Sequence, residues 1–256
     1  MGGAMLAAII NKRLATPADI TVSEPLPERR HQLKEQYNIA IAGSNLDAIK
    51  TSDVIILAVK PQILNEVMSE IGGHLKTGQL VISIIAGKSL KTLSDGLKHQ
   101  AVVRAMPNTP AQIGRGITVW ISTASVTEEQ QGQAADILGA TGQQIFSSDE
   151  ATLDRATAVS GSGPAYVFLF AEALIEAAKE LGIPPATARE LVLVTLGGAI
   201  EFAVRSGRPL AELRRMVTSP GGTTAAALKE FDEGGLAELI KRAVTAAHKR
   251  AKELGS

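Results

Sequence analysis

The sequence predicts an α/β domain followed by an all-helical domain, and three observations carry that prediction. Residues 1–147 alternate short β-rich runs with helical stretches, the pattern of a parallel sheet built from βαβ units. Two of those runs, Val54-Ile55-Ile56-Leu57 and Val81-Ile82-Ser83-Ile84-Ile85, are almost continuously apolar, as strands covered on both faces are. Beyond Ser148 the strands stop, and apolar helices follow one another across Gly and Pro breaks. The expected domains are therefore 1–147 and 148–256.

The elements follow in order. Gly2-Gly3-Ala4-Met5 opens a first helix directly. Strands are expected at Asp19–Ser23, Asn38–Ala42, Asp53–Val59, Leu80–Ile85, Ala101–Ala105, Gly116–Ser122 and Gln143–Phe146. Helix starts are marked by Pro61, a first-turn proline, and by Ser44 with Asp47 and Ser125 with Glu128 at capping-box spacing. The second half reads as helices over Pro164–Leu181, Pro185–Ser206, Leu210–Thr218, Thr223–Phe231 and Leu236–Leu254. Two stretches, Tyr166–Leu181 and Leu191–Val204, are apolar around most of the helix and must be covered on nearly all sides. A domain of roughly 105 residues has too little interior for both, which predicts a homodimer, or a larger homo-oligomer, through the helical half.

Composition narrows the function classes. Of 256 residues, 45 % are apolar and 20 % charged, and 26 basic side chains balance 26 acidic ones. Nothing in that balance points to nucleic acid or a membrane as partner. The most apolar stretch, Ala165–Ala178, contains Glu172 and Glu176 and is too short to span a bilayer. With no signal-type start the expected compartment is the cytoplasm, which the absence of cysteine suits while excluding thiolate chemistry. The four histidines, His31, His74, His99 and His248, lack ligand spacing and read as surface residues, so no metal site is expected.

Gly2-Gly3-Ala4-Met5 has the character of a dinucleotide-binding turn, where backbone N–H groups at a helix start receive a pyrophosphate. In a Rossmann-like domain that turn follows a strand, and here Met1 occupies the place of the first glycine. The expected domain is thus Rossmann-like with its first strand missing, a strand of about 5–6 residues. In the usual order it lies mid-sheet, so its loss leaves neighbours about 9–10 Å apart with unpaired edges. On this reading the chain binds cofactor poorly, and an initiation site assigned too late by about 7–10 residues accounts for it. The second strand ends at Ser23-Glu24: Glu24 suits a ribose diol and NAD, whereas Ser23, Arg29 or Arg30 suits a 2′-phosphate and NADP, and the choice stays open. Ala58-Val59-Lys60 and Ala86-Gly87 end further strands, where small residues let a flat ring approach.

The sharpest motif is Thr218-Ser219-Pro220-Gly221-Gly222-Thr223-Thr224. Pro and two Gly end one helix, and Thr223-Thr224 begins another; the free N–H groups make either a carboxylate pocket or a plain helix–helix turn with a threonine N-cap. Together with Gly3-Ala4-Met5, DVIILAVKP (53–61), SIIAG (83–87), RAMPNTP (104–110) and SGSGPAY (160–166), this motif resembles the pyrroline-5-carboxylate reductase family over nearly the whole chain.

The resemblance implies reduction of the cyclic imine 1-pyrroline-5-carboxylate to L-proline by hydride from NADPH or NADH, the last step of proline biosynthesis. It implies that Thr224 hydrogen-bonds the ring nitrogen while Ser219, Gly221, Gly222 and Thr223 hold the carboxylate. On the cofactor side it implies Gly2, Gly3, Ala4 and Met5 at the pyrophosphate and Ser23 at the adenosine ribose. Asn45, Ala58, Val59, Lys60, Ala86 and Gly87 would line ribose and nicotinamide, with Asn108 and Glu150 beside them. Two other readings compete. A two-domain β-hydroxyacid dehydrogenase needs a lysine on the long interdomain helix as acid–base catalyst, and Gly163–Ala178 contains none before Lys179. The other is a truncated, non-catalytic paralogue that dimerises and binds cofactor poorly. The glycines of Ser160–Pro164 predict a kink between the domains.

Overall fold

The computed structural model describes residues 1–255. The chain runs α1 (Gly2–Asn11), β1 (Thr21–Val22), α2 (Pro27–Tyr37), β2 (Ala40–Ile41), α3 (Asn45–Ile49), β3 (Val54–Leu57), α4 (Leu64–Ile71), β4 (Leu80–Ser83) and α5 (Leu90–Leu97). It continues through β5 (Val102–Met106), β6 (Gly116–Ser122), α6 (Glu128–Gly139), β7 (Gly142–Phe146) and α7 (Ala151–Ala156). Then come α8 (Gly163–Glu180), α9 (Pro185–Ser206), α10 (Leu210–Met216), α11 (Thr223–Glu233) and α12 (Leu236–Gly255). Each expected strand is present, and the helices of the second half start and stop within a few residues of expectation.

The strands form two sheets. β1 and β2 pair in parallel as a two-stranded sheet; β3-β4-β5-β6-β7 form a five-stranded one. All pairs are parallel except β5 with β6. That exception departs from the all-parallel expectation for a simple reason. Only residues 107–115 connect β5 to β6, fewer than a parallel crossover needs.

Alternation along β3 and β4 divides the core. Ile55, Leu57 and Val81 pack with Leu64, Met68, Ile71, Leu93 and Leu97 on the α4–α5 face. Leu80 and Ile82 pack with Met5, Val103, Trp120, Ala134 and Leu138 on the α1–α6 face. Trp120 is 3 % exposed; its indole N–H donates to Gln144 Oε1, and its ring meets Phe146 edge-on at 4.8 Å. α1 serves both sheets, because the neighbouring residue Leu6 packs with Leu33, Ile39, Val22 and Ile41 on the β1–β2 side.

Two details correct the sequence reading. The cap of α6 is Thr127, whose hydroxyl accepts from Gln130 N–H while Gln130 Oε1 accepts from Thr127 N–H; Ser125 is not the cap. His99 is buried, with Nε2 bonded to the carbonyl of Gln79 at 2.6 Å, and His248 has a buried Nε2 without a partner among the described residues. Gln79 is itself buried and donates to the carbonyls of Ile49 and Ser52, so His99 closes a polar knot under the sheet edge.

Between α7 and α8 the helix passes through a π-turn, Thr157–Gly161, in which Ser162 N–H reaches back five residues to Thr157 O. Thr157 and Ser160 hydroxyls donate to the carbonyls of Leu153 and Ala156. This turn stands where the glycines predicted a kink. By contacts the chain divides into two units, Met1–Ser162 with the residues from Ala247 onward, and Gly163–Ala246. The division falls later than the expected 147/148 boundary and returns the end of α12 to the first unit. By length and composition alone, the helical run 151–180 is long and apolar enough to cross a bilayer, which the 165–178 stretch by itself is not.

Candidate active site

The first unit presents its helix start bare. α1 has Met1 as N-cap with no side-chain cap and no acidic residue in the first turn. Ala4 N–H and Met5 N–H are the first to bond back, both to Met1 O, so the N–H groups of Gly2 and Gly3 project from the end of the helix. Side chains stand close to both glycines. A Cβ on Gly2 would lie 3.0 Å from the Ala58 side chain, and one on Gly3 would lie 2.9 Å from Arg29 Nη2. The turn is therefore walled by the end of β3 on one side and by a guanidinium from α2 on the other. A helix start of this kind with a cation beside it receives an anion.

Ser23 and Glu24 follow β1, both half-buried. Glu24 Oε1 accepts from Leu26 N–H at 3.1 Å, so its carboxylate closes its own loop. Asn45 begins α3 behind the Ser44 cap, and its amide donates to Glu70 Oε2 at 2.6 Å. Beside it, Lys50 and then Ser44 hold the Asp47 carboxyl below the usual carboxylate range. A cavity of about 280 Å3 lined by Ser44, Leu46, Asp47, Ile49, Lys50 and His74 includes none of the expected site residues.

At the ends of β3 and β4, Ala58 and Lys60 are exposed, Val59 and Ala86 half-buried and Gly87 buried. Gly87 has φ +71°, and a Cβ there would meet Leu254 O at 2.8 Å. The last turn of α12, with Ala251 buried, thus occupies space beside Gly87 that the sequence reading reserved for a ring. Nothing in the local pattern of either segment signals that approach.

Two expected cofactor residues already have structural partners. Asn108 Oδ1 accepts from Ile117 N–H at 3.0 Å and ties the β5–β6 connection. Glu150 Oε1 accepts from Leu90 N–H at 2.8 Å and from Arg104 Nη1 at 2.9 Å, while Arg104 Nη2 reaches Asp154 at 2.7 Å. Arg104, 6 % exposed in β5, thereby pins α5 and α7 to the sheet. The sequence reading quoted Arg104 without giving it a role; its signal was a single charge inside the apolar run Val102–Met106.

In the second unit, α10 ends at Met216, and Thr218 Oγ1 donates to Arg214 O at 2.6 Å. Gly221 takes φ +69°, and Gly222 N–H closes on Ser219 O at 3.1 Å. Gly222, not a threonine, is the N-cap of α11. The first helical bond is Ala226 N–H to Gly222 O, so the N–H groups of Thr223, Thr224 and Ala225 are aimed out of the helix start. No acidic side chain lies in that first turn; Ser219, Gly221 and Thr223 are exposed and Thr224 half-buried. On α8, Lys179 pairs with Glu176 at 2.8 Å at the end of the helix.

Comparisons with known proteins cover both halves of the chain. Residues 150–254 match the family model for pyrroline-5-carboxylate reductase dimerisation, and residues 1–87 match that for NADP oxidoreductase, coenzyme F420-dependent. The chain is 39 % identical over 255 residues to pyrroline-5-carboxylate reductase of Synechocystis, covering 100 % of this chain and 95 % of the relative. Its structure is similar to that of a pyrroline-5-carboxylate reductase from Coxiella burnetii, at 36 % identity and TM-score 0.92, covering 100 % and 95 %. The Plasmodium falciparum enzyme with NADP bound is similar at 31 % identity and TM-score 0.90, over 100 % and 95 %.

Proposed function

The chain belongs to the pyrroline-5-carboxylate reductase family, and from that we infer that it reduces 1-pyrroline-5-carboxylate to L-proline with a nicotinamide cofactor. The observation that carries this reading is the pair of uncapped, acid-free helix starts, Gly2-Gly3 and Thr223-Thr224. Each is built for an anion, one a pyrophosphate and the other a small carboxylate. When bound, NADPH or NADH supplies the hydride. The chain's own part is to hold and orient. Thr223, Thr224 and Ala225 N–H groups, with Ser219, Gly221 and Gly222 shaping the turn, receive the substrate carboxylate. The Thr224 hydroxyl hydrogen-bonds the ring nitrogen. A protonated imine is already electrophilic, so hydride addition at its carbon gives the secondary amine without a further general acid. Catalysis then rests on positioning two rings face to face.

Arg29 beside Gly3, with Glu24 engaged in its own loop, favours a 2′-phosphate at Ser23 and hence NADPH. Lys179, paired to Glu176 at the far end of α8, gives no support to a lysine-dependent dehydrogenase. The helical unit exposes Val167, Phe168, Leu169 and Phe170 on α8 and Val194, Ile200 and Phe202 on α9. Such a surface suits a second copy, which supports a homodimer or larger homo-oligomer; we place the enzyme in the cytoplasm, without membrane or nucleic-acid partners.

The test is direct. The purified chain with saturating NADPH should consume cofactor only when 1-pyrroline-5-carboxylate is added, with proline formed in equal amount. NADPH loss that ignores the imine, or turnover with 3-hydroxy acids instead, rejects the assignment.

A further inference from the structure

β5 carries one charge among apolar residues, and it is turned inward. Side chains alternate along a strand, so Arg104 shares the face of Val102, which packs in the α4–α5 core. Val103 and Ala105 belong to the α1–α6 core on the other face. The Arg104 side chain is 8 % exposed, and Ile121 of β6 lies directly opposite it. A buried ion pair adds little stability over apolar residues of the same volume, whereas a guanidinium fork fixes direction. Arg104 spends its fork on a single helix. Nη1 donates to Glu150 and Nη2 to Asp154, residues four apart and therefore on one face of α7.

The fork reaches further through Glu150. The carboxylate oxygen that accepts from Arg104 also accepts from Leu90 N–H, at the first residue of α5. Ser89 caps that helix on Thr92 N–H, so Glu150 supplies a second acceptor to a helix start that lacks one, with a charge the dipole favours. The Leu90 side chain packs at the margin of both the α4–α5 core and the small cluster of Val119, Ile121 and Leu153. α5 is thus fastened to α7 at its first residue, by backbone and by side chain.

Just before Leu90 lies the turn expected to line the nicotinamide. At its near end Ile84 N–H donates to Leu57 O and Ile85 N–H to Ser83 Oγ. Gly87 takes φ +71°, and among the described residues no hydrogen bond ties Ala86, Gly87 or Lys88 to another element. Apart from Leu254 lying beside Gly87, the turn is placed by its two ends. Its far end is Leu90.

We propose that Arg104 is a positioning residue for hydride transfer. Buried away from cofactor and substrate, it aims the Glu150 carboxylate at Leu90 N–H and so sets the Ala86–Gly87 turn against the nicotinamide ring. Asp154 takes the other prong and keeps the guanidinium from rotating. The role rests on the reading above that Ala86 and Gly87 line the nicotinamide.

The test is a single-turnover measurement on the full chain, preloaded with saturating NADPH and mixed with 1-pyrroline-5-carboxylate. Loss of reduced-nicotinamide absorbance yields a rate constant and an amplitude. A displaced ring wall slows the rate constant, whereas a loss of folded protein lowers only the amplitude. Arg104→Lys keeps the charge and loses the fork, and Glu150→Ala removes the acceptor. Each is expected to slow hydride transfer about tenfold or more at full amplitude, the scale of a small misplacement of reacting groups. Glu150→Gln keeps an oxygen for Leu90 N–H and is expected to stay within about threefold of the unsubstituted chain. Should Arg104→Lys fail to fold, Arg104→Met, apolar and of similar length, takes its place with the same expectation. Either position 104 or Glu150→Ala at the unsubstituted rate, a fall in amplitude alone, or Glu150→Gln as slow as Glu150→Ala overturns the proposal. An unsubstituted chain without imine-dependent signal overturns the active-site reading along with it.

Discussion

Arg29 shows how much a single contact decides. Its Nη2 lies where a Gly3 side chain would be, so arginine and glycine occupy one space between them. If Arg29 meets a 2′-phosphate, Arg29→Ala raises the KM for NADPH about tenfold or more and leaves that for NADH nearly unchanged, the scale of a charge-assisted hydrogen bond. Equal losses with both cofactors would place its contact on the shared pyrophosphate instead. At the other helix start, Thr224→Val keeps the shape and removes the hydroxyl. It should lower kcat about tenfold with little change in protein stability, whereas Thr224→Ser should retain most of the rate. Steady-state kinetics with urea unfolding controls separate these outcomes. Single residues were also where the sequence was hardest to read. His99 and Arg104 look like ordinary polar positions, yet both are buried because partners 20 and 46 residues away are folded against them. No local pattern encodes a partner at that distance.

Whole elements were far more legible. Apolar runs located β3 and β4, and Gly or Pro located the ends of α9, α10 and α11, because these signals act within one turn or one strand. Where two local signals competed, the sequence did not choose. Ser125 and Thr127 each precede an acidic or amide partner three residues on, and the chain caps at Thr127 because Gln130 returns the bond. Thr127→Ala should therefore cost about 1 kcal/mol in urea denaturation, and Ser125→Ala less than about 0.5 kcal/mol. The antiparallel β5–β6 pair was legible in principle, since loop length alone rules out the parallel alternative. The return of α12 to Gly87 was not, because the end of a long amphipathic helix reads the same whether or not a loop lies under it.

At the scale of the molecule, the helical unit exposes more apolar surface than a solitary soluble domain sustains. Phe168 is 62 % and Val194 68 % exposed on helices that are apolar around most of their circumference. Paired charge substitutions, Phe168→Lys with Val194→Lys, should convert the assembly to a monomer in sedimentation velocity while leaving helix content intact; an unchanged sedimentation coefficient would move the interface elsewhere. The two-domain plan, and the expectation of a homodimer, were read from composition and periodicity, since both are sums over many residues. How the contacts divide was not, because it depends on where α12 ends. One further property belongs to this scale. The chain has a single tryptophan, and Trp120 is sealed in the sheet of the first unit, stacked edge-on against Phe146. Its fluorescence is thus a private reporter: emission should be blue-shifted and follow the melting of the first unit alone, while far-ultraviolet dichroism sums the helices of both. Heating one sample under both lights would separate the melting of that unit from the melting of the whole, with no label added.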